Sequence, residues 1–316
     1  MVFPAPSFDR WMYPFNSTPG IELQAPAFGA ILQAGFDDRD SQFLMSFNTS
    51  AFVPAGLGVG NYRILGGTLL VVIANDGEAF YDPTADSVTS LYAEGDPERT
   101  ADIDPGRPIE LFGVGYRNGW TLQSFLESSR FGGVPITPPA EGSRNVFAAT
   151  IDPLLNATDV SRQVRQRFEA SPLAIGTTNA VQPGQRLPLA SFIQFTLSAC
   201  DAQTRRYLQS SLNQGRLNLI ASSLEPASGG PGGGSGERTY PIFFTRESGG
   251  SLPARLILRV RVGNPADFTG DGFVDGFDYD GFVEAFESGN DAADFNQDCF
   301  IDGFDYDEFV EAFEQG

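Results

Sequence analysis

The chain has 316 residues, 20 basic and 40 acidic, for a formal charge of −20. It contains no His and every basic residue is Arg, which excludes Ser-His-Asp and Cys-His nucleophile systems, His-ligated zinc, Schiff-base chemistry and a phosphate-loop lysine. With 41% hydrophobic residues and 28 Phe it can build a Phe-rich core, and no apolar run is long enough to span a membrane.

From the start, MVFPAPSFDRW has neither a basic segment nor an apolar one, so no secretory leader is read there; if the protein is exported, its leader is not part of this sequence. Residues 1–35 mix Pro, Gly and aromatics and predict extended structure and loops. SQFLMSFN (41–48) alternates Phe43, Met45 and Phe47 with polar residues, predicting a strand buried on one face. TLLVVIA (68–74) is a continuous apolar run, predicting a strand buried on both. IELFGVGY (109–116) and NVFAATI (145–151) read as further strands. DVSRQVRQRFEA (159–170) predicts a short helix with Val160, Val164 and Phe168 on one face and Asp159 as its N-cap. DAQTRRYLQSSLNQG (201–215) predicts a second, with Gly215 just past its end. SFIQFTLS (191–198), RLNLIASSL (216–224), YPIFFTRE (240–247) and ARLILRVRV (254–262) predict strands, the last with Leu256, Leu258, Val260 and Val262 inward. Residues 226–238 form a Gly-rich loop with no Lys-Ser/Thr after it, so not a phosphate cradle.

At Gly263-Asn264-Pro265 the composition switches. Residues 264–316 hold sixteen Asp/Glu and no Arg, whereas residues 1–263 balance to −4. The tail repeats with a period of 27 residues, DFTGDGFVDGFDYDGFVEAFE from Asp267 and DFNQDCFIDGFDYDEFVEAFE from Asp294. Oxygen side chains fall at loop positions 1, 3, 5, 9 and 12: Asp267, Thr269, Asp271, Asp275 and Asp278, then Asp294, Asn296, Asp298, Asp302 and Asp305. Phe273 and Phe300 at position 7 would contribute backbone carbonyls only. This spacing wraps a hard cation with six to eight oxygens, so two calcium ions are expected. An acidic disordered tail is the other reading, but such tails lack the helical spacing of Phe282, Val283 and Phe286, repeated at Phe309, Val310 and Phe313.

Two calcium loops, each followed by a helix, with Asp at position 12 and no helix before the first, resemble a dockerin module, in particular the dockerin-like C-termini of secreted planctomycete proteins. The resemblance covers 264–316 and implies a cohesin-like or cell-envelope protein partner. The tail departs from the pattern at Thr269, where Asn or Asp is usual, and at Cys299, where a sharp turn usually takes Gly. A non-Gly residue in a left-handed conformation costs about 1–2 kcal/mol, so the second loop is expected to bind more weakly. Positions 10 and 11 (Gly276-Phe277, Gly303-Phe304) and 17 and 18 (Val283-Glu284, Val310-Glu311) are duplicated. In dockerins these offsets face the partner, so the resemblance implies docking in two orientations; the alternative is that these residues are the module's own core.

Many short strands with two short helices predict a mainly β body, residues 1–263, of jelly-roll or β-sandwich type, followed by a small α module. DVSRQVRQRFE, LNQGRLNLIASSL and FFTRESGGSLPARLILRV resemble the closing part of DNRLRE-type jelly-roll modules, which implies an extracellular, mostly non-catalytic accessory role associated with carbohydrate.

Three acidic groups in the body, at Asp37-Asp38-Arg39-Asp40, at Asp82 with Asp86, and at Asp102 with Asp104, read as turn and loop solvation rather than as a glycosidase pair or a cation site. Trp11, Tyr116 and Trp120 are candidates for sugar stacking, and Asn118-Gly119 predicts a tight hairpin tip, against the plainer reading of core aromatics. Cys200 and Cys299 are too few for a disulfide framework and are expected as free thiols, a bridge between body and tail being the alternative. No catalytic residue emerges. The sequence thus predicts an extracellular or cell-surface, calcium-binding, non-catalytic protein for attachment, assembly (self-assembly included) or glycan binding. Without a basic footprint it has no nucleic-acid partner. A carbohydrate-active enzyme using Asp/Glu chemistry, carried by the same tail, is the alternative.

Overall fold

The computed structural model describes residues 1–132, 142–227 and 238–316; most of the Gly-rich loop at 226–238 therefore lies outside the described residues. The chain is mainly β, with strands β1 (Val2–Phe3), β2 (Phe8–Met12), β3 (Gln24–Pro26), β4 (Gln42–Asn48), β5 (Tyr62–Val72), β6 (Glu110–Tyr116), β7 (Val146–Ile151), β8 (Ala157–Asp159), β9 (Ala174–Ile175), β10 (Phe192–Leu197), β11 (Arg216–Ser222), β12 (Ile242–Phe244) and β13 (Arg255–Val262). Among the described residues, helices α1 (Gln163–Gln166) and α2 (Ala202–Asn213) lie between strands, and α3 (Gly276–Glu287) and α4 (Gly303–Gln315) follow the last one. The strands pair antiparallel in a sheet ordered β1-β13-β5-β10, a larger one ordered β2-β4-β11-β6-β7-β8 with β9 also on β6, and the pair β12-β3.

Period-two alternation builds the main core. Ile64, Leu69 and Val71 of β5, Ile193, Phe195 and Leu197 of β10, and Leu256 and Leu258 of β13 meet Phe43, Met45 and Phe47 of β4 and Leu217 and Leu219 of β11 in one buried cluster. Both large sheets therefore bury side chains in the same core, and Leu208 and Leu212 of α2 join it. The opposite face of the larger sheet is buried too: Leu44, Phe112, Val114, Val146, Ala148 and Ile220 form a second cluster with Phe125 and Val160. On β6, Gly115 is required by packing, because a Cβ there would lie 2.1 Å from the Phe147 ring.

The run 68–74 is buried on both faces from Val71 to Ala74, with Leu70 half-buried, while Leu65, ahead of it in β5, is 47% exposed. β4, expected to bury one face, is buried along both from Gln42 to Phe47. The reason is the second cluster, to which polar-looking β4 adds Leu44; Gln42, on the same face, donates to the Arg39 carbonyl (3.1 Å).

The helix predicted at 159–170 shrinks to α1. Asp159 ends β8 and its carboxylate accepts the Ser161 N–H (2.8 Å), and Arg167 at φ 56° ends the helix after Gln166. Val160 and Val164 pack into different clusters. The second helix forms as predicted: Asp201 caps it through the Thr204 N–H (2.7 Å), and Gly215 follows at φ 76°.

Asn118 (φ 57°) and Gly119 (φ 79°) make the predicted tight turn, closed by the Trp120 N–H on the Arg117 carbonyl (3.1 Å). It is not a hairpin tip, since β6 meets β7 only after the chain has covered the second cluster with Phe125 and Phe131. The Asp37–Asp40 stretch is not a solvated turn either. All four residues are buried, with Arg144 on Asp37 (2.9 Å), Arg165 on Asp38 (3.0 Å) and Arg39 on Glu110 (2.6 Å).

Candidate metal-binding loops and carboxylate clusters

The two tail loops fold alike because their sequences repeat. In loop one, Asp275 is the N-cap of α3, accepting the Phe277 N–H (2.9 Å), and Asp278 completes a capping box. The two oxygens of Asp278 accept the N–H groups of Thr269 (2.8 Å) and Asp275 (2.9 Å). In loop two, Asp302 caps α4 through Phe304 (2.9 Å), and Asp305 accepts from Asn296 (3.0 Å) and Asp302 (2.9 Å). Asp267 takes Gly270 and Gly272; Asp294 takes Cys299 (3.0 Å). Asp271 and Asp298 accept the N–H groups of Phe273 and Phe300.

Each ionised carboxylate has about four acceptor sites, so this backbone wrapping leaves oxygens over for an ion. Asp294 Oδ1 is buried with no hydrogen-bond partner. Burial acts to raise the Asp278 carboxyl, but the N–H donors of Thr269 and Asp275 outweigh it and hold it below the usual range. Burial raises that of Asp294, with the Asp305 and Asp298 carboxylates adding to the effect.

The module is internally two-fold. Residues 27 apart contact each other: the Phe282 and Phe309 rings stack at 4.0 Å, and the Tyr279 and Tyr306 hydroxyls hydrogen-bond. Phe268 meets Phe282 at 5.6 Å as Phe295 meets Phe309 at 5.5 Å. Phe277 and Phe304 stay outside this core, 73% and 69% exposed; Phe273 and Phe300 are 72% and 70% exposed. Val283 and Val310 are half-buried.

Loop two lies against the body. Cys200 and Cys299 form a disulfide, correcting the expectation of free thiols. Arg63 donates to the carbonyls of Ala292 (3.0 Å) and Asp294, Arg205 to that of Gln297, and the Gln297 amide to that of Ile64. Gln297 (φ 61°) and Cys299 (φ 70°) hold left-handed conformations that Gly270 (φ 78°) and Gly272 (φ 94°) hold in loop one. The two departures from glycine are thus the two residues that reach the body. A cavity of about 680 Å³ at this junction is lined by Arg63, Leu65, Thr196, Arg259, Gln297 and Phe300.

Two groups of three carboxylates converge in the body, each with one oxygen per residue within 4.8 Å of the others: Asp9, Glu127 and Glu247, and the sequence-adjacent Asp82 and Asp86 now joined by Asp104. Both are acidic groups able to hold a metal ion. The first comes from three separated segments, so only the fold reveals it. Asp9 is 1% exposed and its carboxyl is pushed up to about 8, chiefly by burial, with Glu247 and Glu127 adding and the Arg246 N–H opposing. Arg246 lies 3.1 Å from Glu247 and 3.7 Å from Glu127. In the second group burial raises Asp82 and takes Asp86 to about 6.

Asp9 has a pH consequence. Its folded value lies above the unfolded one, so unfolding releases a proton between about pH 4 and 8 and stability falls as pH rises through that window, by at most about 1.4 kcal/mol per pH unit. Asp9→Asn is expected to flatten this slope and to be more stable than the parent at pH 8; urea midpoints across pH 4–8 check it, and parallel curves for the two proteins refute it.

Tyr116 and Trp120, predicted as a stacking platform, line a pocket of about 360 Å³ with Leu122, Ile151, Tyr207 and Gln214. Both are half-buried against the second cluster, and the Tyr116 hydroxyl accepts from the Asn218 amide (2.8 Å). Trp11 stacks on Tyr13 at 4.7 Å and donates to Ser41 (2.6 Å), away from that pocket. No helix among the described residues is long and apolar enough to cross a membrane. No protein-family model matches the chain, and no curated protein matches it.

Proposed function

We propose that the chain is a secreted, non-catalytic attachment protein: a β-sandwich body of jelly-roll type carrying a dockerin-like module that docks on a cell-envelope or cohesin-like protein when calcium is bound. The observation that carries this reading is the exposure of Phe277 and Phe304 at about 70% each, beside the equally exposed Phe273 and Phe300, in a module whose remaining aromatics pack on one another. Large apolar side chains left out of so small a core mark a contact surface. Asp267, Thr269, Asp271, Asp275 and Asp278 would hold one calcium, and Asp294, Asn296, Asp298, Asp302 and Asp305 the other, with the carbonyls of Phe273 and Phe300. The ions supply positive charge to a tail with sixteen acidic groups and no Arg, so α3 and α4 should loosen without them. The disulfide supports an oxidising, extracellular setting.

Against the alternative of a carbohydrate-active enzyme, each carboxylate group has one member withdrawn from solvent, Asp9 at 1% exposed and Asp82 at 4% exposed, whereas a glycosidase pair flanks a substrate. A glycan, if one binds, fits the Tyr116–Trp120 pocket, where rings can stack on sugar faces.

Binding of the full chain to a cell-envelope fraction, with and without chelator, tests the reading. Because the module is two-fold, Phe277→Ser or Phe304→Ser alone is expected to cost only about twofold, the loss of one of two equivalent modes. Both together should cost about 30-fold or more, as for a central aromatic contact worth ~2 kcal/mol. Calorimetry should show two tail ions, and circular dichroism should show helix loss in chelator. Chelator-insensitive binding, or a double variant that binds as well as the parent, would sink the proposal.

A further inference from the structure

The connection from β5 to β6, residues 73–109, is long and irregular. It has one 3-10 turn, Val88–Leu91, and a small cluster of Val88, Leu91 and Tyr92 with Val164 and Leu224. Ile73, Ala79, Tyr81 and Ile109 tie its ends into the main core, and long irregular connections inside a folded domain are commonly functional. Its carboxylates Asp82, Asp86 and Asp104 converge, twenty-odd residues apart in sequence, with one oxygen each within 4.8 Å of the others. Arg107 pairs with Asp86 (2.7 Å) and with Asp102 (2.7 Å), on the margin of the group.

The second observation is an interior acceptor left without a donor. Asp82 is 4% exposed; its Oδ1 accepts the Thr84 N–H (2.8 Å) and hydroxyl (2.6 Å), while its Oδ2 is buried with no partner. Beside it, Glu225 is 5% exposed and its Oε1 is equally buried and unpartnered. That oxygen and the Asp82 Cβ both border Gly106, at 3.6 and 3.7 Å from where its Cβ would stand, so Glu225 lies on the same side of the loop as Asp82. An unpartnered buried acceptor costs about 1–3 kcal/mol, more when charged. One of them belongs to Asp82, itself a member of the converging group, and the other to Glu225 beside it; together they call for a positive charge, and neither oxygen has Arg107 as a hydrogen-bond partner.

The donors are all oxygen and sit on irregular backbone that can adjust to a large, loosely directed shell, which suits calcium better than the smaller, strictly octahedral magnesium. We infer that Asp82, Asp86 and Asp104, backed by Glu225, hold a calcium ion that ties the 82–86 and 102–107 turns to the end of β11. The Asp9 group is less suited, because Arg246 already lies against two of its three carboxylates. This body site is independent of the tail loops.

Calcium counting by equilibrium dialysis with calcium chloride alone, on the full chain at pH 7.5, tests it. In a chain whose tail loops are disabled by Asp271→Ala and Asp298→Ala, both exposed, one ion per chain is expected to remain, and calcium should raise Tm. Adding Asp104→Asn, at a partly exposed residue, should weaken that ion at least tenfold, and Asp82→Asn should abolish it. A folded tail-disabled chain that binds no calcium overturns the site. So does binding that neither Asp104→Asn nor Asp82→Asn changes, or a proton-sharing carboxyl cluster only, recognised by Asp82→Asn raising Tm equally with calcium and with chelator. Failure of the tail reading looks different: the parent then binds one ion, and Asp271→Ala with Asp298→Ala leaves that number unchanged.

Discussion

Glu110→Ala is expected to destabilise the body by about 3–5 kcal/mol, as loss of one partner of a buried ion pair does. Arg39 is fully buried; it meets Glu110 at 2.6 Å, donates to Gln163 (2.9 Å) and Ser222 (3.3 Å), and lies 4.8 Å from the centre of the Phe112 ring. A guanidinium cannot shed its charge, so removing the carboxylate strands a cation between the second cluster and the 37–40 turn. The neighbourhood offers little relief, because Arg144 engages Asp37 (2.9 Å) and Arg165 engages Asp38 (3.0 Å). Glu110→Gln, which keeps an acceptor, should fall between parent and Glu110→Ala. Replacing both partners, Arg39→Met with Glu110→Leu, should cost far less than Glu110→Ala, because no charge is left uncompensated. Urea unfolding of the four proteins decides the matter. A loss below about 1 kcal/mol for Glu110→Ala would show that Arg39 finds water or another carboxylate.

The contrast between this network and its reading from sequence shows where legibility ends. Alternation alone located β13 and β10, because Leu256, Leu258, Ile193 and Phe195 face the core while their neighbours face outward. The 27-residue repeat likewise anticipated a paired module, and its self-contacts at Phe282 and Phe309 follow from that repeat. What a linear pattern cannot carry is a second layer. Nothing in SQFLMSFN announces that Phe125 and Val160, more than a hundred residues away in sequence for the latter, will cover its polar-looking face. The same holds for charge. Asp37–Asp40 reads as a turn until Arg144 and Arg165 are seen to arrive, and Asp9, Glu127 and Glu247 share no local motif at all. Local chemistry was readable at Gly215, where a left-handed stop acts within a few residues, and failed at Asp159, where β8 claimed the cap for a sheet edge.

Loss of the Cys200–Cys299 bridge should free the tail from the body, and the size of the loss should depend on which cysteine is changed. The bridge joins residues 99 apart. In the chain-entropy account, a loop of that length is worth up to about 4.7 kcal/mol, and measured values are commonly ~2–4. Cys200→Ser and Cys299→Ser should each cost about that much. Cys299→Gly should cost about 1–2 kcal/mol less, because residue 299 sits at φ 70°, where a side chain is strained and Gly is not. The strain is tolerated in the parent because the cysteine is needed there, just as Gln297 at φ 61° is needed to donate to the Ile64 carbonyl. With the bridge gone, Arg63 and Arg205 of the body still donate to loop two and Gln297 of loop two still donates to the body, so separation should be partial and should deepen when Gln297→Gly is added. Guanidinium unfolding with and without reductant, with hydrogen exchange on loop two in calcium, measures both effects. A Cys299→Gly chain no more stable than Cys299→Ser would remove the strain argument. A parent whose unfolding midpoint ignores reductant would remove the bridge as the clamp between body and tail. If both effects appear, loop two is the anchored half of a two-fold module, and its departures from glycine record that anchorage rather than a weakened ion site.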